Sequence, residues 1–218
     1  MKSALTALLA ICLCWGVGCS KNLSEFQETK ARAILGDSGA QTRLALMYYY
    51  GLGVGKDFKK AAKWYRKSAD QGWKVAQHNI GYMYANGLGV EQDFKEAVQW
   101  YQKAADQGLA SAQYSLGVAY GDGLGVQQDF KQAVQWCRKA ADQGFAKAQY
   151  KLGVMYDNGE GVLEDNVTAY AWWNIAAANG SKSAKDNKPK IAKDMTPEQI
   201  AKAQALSKEM LKKNPKLL

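Results

Sequence analysis

The 218-residue sequence has one histidine, His78, so it has no His-rich metal site and no second imidazole for proton relay. No metal or cofactor is expected. Ser-x-x-Lys occurs nowhere, which removes the motif of a lactamase-type serine nucleophile. Three of the four cysteines, Cys12, Cys14 and Cys19, lie near the start, leaving Cys137 alone in the body of the chain. No intramolecular disulfide framework can then hold the fold. Long hydrophobic runs are also missing. The longest, within "MKSALTALLAICLCWGVGCSKN", is about sixteen residues, short of the roughly twenty that span a bilayer.

That opening stretch, residues 1–20, reads as a bacterial secretory signal with two competing fates. Gly16 and Gly18 are small enough for a general leader peptidase to cut before Cys19. A lipoprotein reading instead acylates Cys19, although Gly16 stands where that motif prefers a branched aliphatic residue. Ser20 would then resemble the second residue of outer-membrane lipoproteins. Either way the expected location is the periplasm or the outer membrane, with membrane attachment only through the lipid.

What the chain has in plenty is glycine, at regular intervals. "NGLGVEQDF" (Asn86 to Phe94) places Gly-x-Gly before a helix start, the arrangement that cradles phosphate in nucleotide-binding loops. That reading fails, because no β-branched strand precedes it and the third glycine is missing. Gly51, Gly87, Gly123 and Gly159 instead stand 36 residues apart, as do Gly53, Gly89, Gly125 and Gly161. The units are 39–74, 75–110, 111–146 and 147–182, and the second and third agree at 23 of 36 positions. A self-similar period of this length signals a solenoid.

Within each unit two helical patterns flank the glycine turn. Ala112, Leu116 and Tyr120 make one apolar stripe; Phe130, Ala133, Cys137, Ala140 and Ala141 make another. Asp57, Asp93, Asp129 and Asp165 stand at N-cap positions, and Gly72, Gly108, Gly144 and Gly180 at left-handed C′ positions. The expected fold class is all-α: an α/α solenoid of four helix–turn–helix repeats between capping helices. The N-terminal cap is residues 21–38. The C-terminal cap, 183–218, has Pro189 shortening or kinking its first segment. Thr196, Pro197 and Gln199 open its second, whose Ile200, Ala203 and Leu206 are expected to lie on the fourth repeat.

"AQYSLGVAYGDGLGVQQDFKQAVQWCRKAADQG" resembles a SEL-one-like repeat (SLR), the slightly longer cousin of the tetratricopeptide repeat. The shared motifs are A-Q-x-x-L-G-x-x-Y, G-x-G-V, D-x-x-x-A and W-Y-x-K-A-A-x-Q-G. Ala45, Glu160 and Cys137 depart from them. The resemblance implies a solenoid that holds other proteins, of the bacterial cell-envelope type. It also implies an alternative, an envelope enzyme or glycan binder like the secreted, cysteine-rich SLR proteins linked to penicillin binding. Those staple each repeat with a disulfide, and this chain does not.

Catalysis has little else to stand on. Asp157, Glu160, Glu164 and Asp165 surround a solvent loop and read as a solvated face rather than paired acids. Trp64, Trp100, Trp136 and Trp172 recur once per repeat, as packing residues do. Cys137 shares a column with Tyr65, Tyr101 and Trp173, and reads as a small core hydrophobe ahead of a reactive thiol.

The candidate binding site is the other face of the first helices. There the columns run Thr42, His78, Tyr114, Tyr150 and Leu46, Tyr82, Val118, Val154. They are flanked by Tyr50, Asn86, Asp122 and Asn158 as polar contacts. The helix lattice sends this stripe to solvent, while packing of neighbouring first helices would cover part of it. The site is then Tyr50, His78, Tyr82, Asn86, Tyr114, Val118, Asp122, Tyr150 and Asn158, with a protein or peptide in a concave groove and His78 titrating near neutrality. Charge is uneven as well: residues 182–218 carry 10 basic and 4 acidic side chains. In an envelope their counter-ions are lipid head groups, anionic glycan or acidic proteins rather than nucleic acid, unless the lysines simply solvate the cap.

Overall fold

A computed structural model describes residues 25–218; Cys19 and the leader lie outside the described residues. Among those residues there are eleven α-helices and no strand. A capping helix α1 (Glu25–Ile34) precedes four helix pairs. These are α2 (Ser38–Tyr50) with α3 (Phe58–Asp70), α4 (Lys74–Asn86) with α5 (Phe94–Asp106), α6 (Ala110–Asp122) with α7 (Phe130–Ala141), and α8 (Ala146–Asn158) with α9 (Asn166–Ala178). Helices α10 (Lys182–Ile191) and α11 (Pro197–Lys213) close the array. Each first helix packs on its own second helix and on the second helix of the unit before.

The caps form where the sequence puts them. Asp57, Asp93, Asp129 and Asp165 accept from the backbone N–H of Lys60, Glu96, Gln132 and Thr168 at 2.9–3.1 Å. Gly72, Gly108, Gly144 and Gly180 close the second helices with φ between +77° and +86°. At the C-terminal cap, Thr196 and Gln199 exchange both bonds of a capping box. Pro189 sits in the last turn of α10, which ends two residues later.

The core departs from the simple stripes. Ala76 and Ile80 are buried as expected, but Tyr84 and Tyr120 are only half-buried, and Met83, Ala119 and Met155 are buried beside them. A first helix is packed on two sides, so its buried arc is wider than one stripe. Phe130, expected on the buried face, opens α7 and stays 36% exposed. Of the cap residues, Ala203 is buried, Ile200 packs on the cluster around Trp173, and Leu206 is half-buried.

Close approach explains two glycine columns. A Cβ at Gly81, Gly117 or Gly153 would meet the Tyr101 ring at 2.9 Å, Cys137 Sγ at 2.5 Å or Trp173 Nε1 at 2.2 Å. The first helix thus gives way to the residue after the column tryptophan: Tyr101, Cys137 or Trp173. In the turns, a Cβ at Gly89, Gly125 or Gly161 would sit 2.2–2.3 Å from the carbonyl oxygen of Phe58, Phe94 or Phe130, the first residue of the preceding second helix. Gly53 has the same positive φ, +69°, but its nearest neighbours are side chains at 3.7 Å.

Alanine at Gly53 should therefore cost about 1 kcal/mol, for backbone strain alone. Gly89→Ala and Gly125→Ala should cost clearly more, because backbone must move as well. Urea unfolding of the three variants checks this; equal losses would show that the Phe58 and Phe94 carbonyls give way freely.

Candidate functional site

The first helices α2, α4, α6, α8 and then α10 stand side by side, with slots between neighbours. Between α2 and α4 a cavity of about 240 Å³ is lined by Leu46, Tyr49, Tyr50, Tyr65, His78 and Tyr82. Between α4 and α6 a second, of about 220 Å³, is lined by Tyr82, Phe94, Val98, Tyr101, Tyr114 and Val118. Between α8 and α10 a third, of about 520 Å³, includes Tyr150, Val154, Asp157, Glu164, Lys190 and Asp194. Tyr82 lines both of the first two slots and is 44% exposed.

The predicted residues divide into two sets. Tyr50, Tyr82, Asn86, Asp122 and Asn158 are exposed along one edge, while His78, Tyr114, Val118 and Tyr150 are half-buried between helices. The covering partner in each case lies on the next first helix, 37 residues on: His78 Nε2 lies 3.3 Å from Ser115 Oγ, and Tyr150 Oη accepts from Asn187 Nδ2 at 2.6 Å. Tyr150 also stacks on Trp173, and the Tyr114 ring packs tilted against Phe145, 5.5 Å between centroids. Thr42 leaves the stripe altogether. It is buried, its hydroxyl 2.8 Å from Ser68 Oγ, because with Ser68 it forms a polar contact inside the first repeat.

Titration follows burial. Loss of solvent pulls the His78 imidazole below its ordinary value, against a smaller opposing effect from Asn79, so it is neutral at physiological pH rather than poised there. Burial raises the Tyr49 phenol, with Tyr82 adding to the shift. Burial also pushes the Cys137 thiol up to about 12, which leaves a core side chain and no nucleophile. The tryptophan column packs as expected. Trp100 and Trp172 are buried, and Lys103 and Lys139 each lie 4.0 Å over the rings of Trp100 and Trp136.

Several slot residues were not read as site residues from the sequence: Tyr49, Asn79, Val98 and Asp194 were not singled out, Phe94 and Tyr101 were read as a helix start and a core column, and Asp157 and Glu164 as part of a solvated face. Tyr49 and Asp157 occupy one column, three residues beyond the Leu46 and Val154 positions. On a helix that spacing shares a face, which is the signal that would have found them.

The sequence profile of the Sel1 repeat matches residues 38–73, 74–109, 110–145 and 146–181. The chain belongs to the Sel1 repeat family. Among solved Sel1 repeat structures, one from Oxalobacter formigenes is 36% identical, with a TM-score of 0.69, over 72% of this chain and 64% of that one. The c5321 protective antigen of uropathogenic Escherichia coli, which displays an SLR fold, is 32% identical with a TM-score of 0.57. That match covers 98% of this chain and 54% of the antigen. The sel1-like repeat-containing protein L18 of Acanthamoeba polyphaga mimivirus is 49% identical over 45 residues, 21% of this chain and 8% of L18. The chain thus spans less than two thirds of the length of these relatives. Sel1 repeat proteins in general mediate protein–protein interaction and are typically non-enzymatic scaffolds.

The neutral His78 gives this Sel1 array a pH signature. Its folded value lies below the unfolded value of about 6.5, so below that pH the unfolded chain binds more protons than the folded one. Stability should be level above pH 6.5 and fall as pH drops through it. Urea titrations at about pH 7.5 and 5.5 should show a loss that His78→Gln removes. An unchanged loss in that variant would assign it to other groups.

Proposed function

We propose that this chain is a non-catalytic cell-envelope scaffold that holds a protein or peptide segment against the face of its first helices. The observation that carries this reading is Tyr82. It is an exposed aromatic ring set between two adjacent slots, on a face whose residues change from repeat to repeat while the core columns stay alike. Packing demands sameness, whereas reading a non-repeating partner demands variation. Aromatic side chains beside pockets are the common anchors of binding energy. Exposed Asn86, Asp122 and Asn158 along the edge supply the polar contacts that fix register.

Tyr82 is the decisive substitution, because its exposure separates binding from folding. Tyr82→Ala should weaken capture of the partner from envelope extract at least tenfold, about 1.4 kcal/mol, and leave the helical melt nearly unchanged. Tyr114→Ala should weaken capture too, but with some loss of stability, since that ring packs on Phe145. If Tyr82→Ala retains full capture while charge reversal of Lys212 and Lys213 abolishes it, the basic C-terminal cap, reading an anionic envelope surface, is the site instead.

Export is part of the same proposal and is supported by the leader alone. Protein purified from bacterial membranes should have an intact mass lacking the first eighteen or twenty residues, with an acyl increment if Cys19 is lipidated. A full-length mass would mean that the leader stays as an uncleaved segment.

A further inference from the structure

The lining of the face changes in kind along its length. The first two slots are walled mostly by aromatic and aliphatic side chains, with Asn79, Asn86, Ser115 and the neutral His78 but no carboxylate, lysine or arginine among them. The slot between α8 and α10 instead gathers three carboxylates, Asp157, Glu164 and Asp194, against one lysine. That lysine is already engaged, Lys190 Nζ donating to Asn187 Oδ1 at 3.0 Å. Among the described residues, no ion pair engages any of the three carboxylates. Asp157 is half-buried; burial, then the charges of Glu164 and Asp194, hold its carboxyl above the usual carboxylate range. The crowding is local, for the whole chain carries a net charge of +9.

Resting on the reading above, we propose that the face selects a cationic partner segment, whose large apolar side chain enters the Tyr82–Val118 slot while a Lys or Arg reaches the Asp157–Glu164–Asp194 slot. A guanidinium or ammonium there would offset the mutual repulsion of the carboxylates. Exposed Asp122 lies on the α6 edge between the two slots and is of the same sign. The slots are two helix steps apart, about 16–20 Å at the usual packing distance. An extended segment covers that in about five or six residues. Because the carboxylates are partly exposed, their contribution should be salt-dependent and should set partner choice more than raw affinity.

The test is selection of displayed random peptides of roughly a dozen residues, long enough to bridge the slots, on the immobilised full chain. Recovered sequences should carry Lys or Arg about five or six residues from an aromatic or large aliphatic side chain. Their binding should weaken with salt, and should fall roughly tenfold in the triple variant Asp157→Asn, Glu164→Gln, Asp194→Asn, with unchanged far-UV circular dichroism confirming its fold. Peptides that are lost on Tyr82→Ala but show no Lys or Arg enrichment, or ignore the triple variant, overturn this inference and leave the face as a binding surface. Peptides indifferent to both variants, or no recovery at all, overturn the inference and the binding face together.

Discussion

A buried glutamine amide joins every repeat to the unit before it. Gln41, Gln77, Gln113 and Gln149 each donate from Nε2 to the carbonyl of Ala33, Ala69, Ala105 and Ala141 at 3.1–3.3 Å. Each Oε1 in turn accepts from Gln71, Gln107, Gln143 or Asn179 at 2.7–2.9 Å, at the end of its own repeat's second helix. The carbonyls belong to the last turn of the preceding helix, beyond the reach of an i+4 donor, and each also accepts from the N–H of the closing glycine, Gly36, Gly72, Gly108 or Gly144, at 2.9–3.2 Å. All four glutamines are buried, so each bond is made away from competing water, and breaking one would strand polar groups at about 1–3 kcal/mol. An apolar residue would fill the space equally well but would leave the angle between neighbours unspecified. The amide, reaching two partners at once, fixes where the next repeat begins.

That geometry orders the rest. Once the register between repeats is set, the loop glycines are pressed onto the preceding helix start, and the residue after each tryptophan is pressed onto the facing first helix. Both contacts tolerate only small residues on one side. The small-residue columns, Gly53 to Gly161 and Ala45 to Gly153, are therefore nearly invariant within the chain, and much of the freedom to vary collects on the outer face of the first helices. Structure and surface chemistry are separated by position, which is what lets one scaffold present aromatic slots at one end and carboxylates at the other.

Much of this was legible in the sequence because it is local. A 36-residue period, aspartate N-caps and C′ glycines each act within a turn or two, and the structure places them accordingly. The motif Ala-Gln was legible as a pattern, but the reason for its glutamine was not, since its partners lie 8 and 30 residues away. The same distance in sequence hid Thr42, which turns to Ser68, and His78, which turns to Ser115. Lattice arguments treat a helix as having one partner, whereas each first helix here is packed between two second helices, and side chains such as His78 and Tyr150 reach the next first helix as well. The edge residues Tyr50, Asn86 and Asp122 were the readable part of the face, because edges keep their solvent whatever the neighbours do.

The fourth repeat shows what happens when one term of the clamp changes. Asn179 replaces glutamine, and its amide is one methylene shorter. It still reaches Gln149 Oε1 at 2.9 Å, but its contact to the Gly144 carbonyl stretches to 3.4 Å, where Gln107 meets Gly72 at 3.0 Å. The segment after α11 takes up the slack. Leu217 is buried in the core beneath Trp172, its carbonyl accepting from Gln149 Nε2 at 2.8 Å and from Asn179, while Asn214 Nδ2 donates to the Asp142 carbonyl at 2.9 Å. A Cβ at Gly144 would lie 2.6 Å from the Lys216 carbonyl, whereas at Gly72 and Gly108 nothing approaches within 4 Å. The short amide and the inserted segment are thus one device: the side chain that closes the other repeat junctions is trimmed where the backbone of the cap's terminal 3-10 turn, Pro215–Leu217, takes its place.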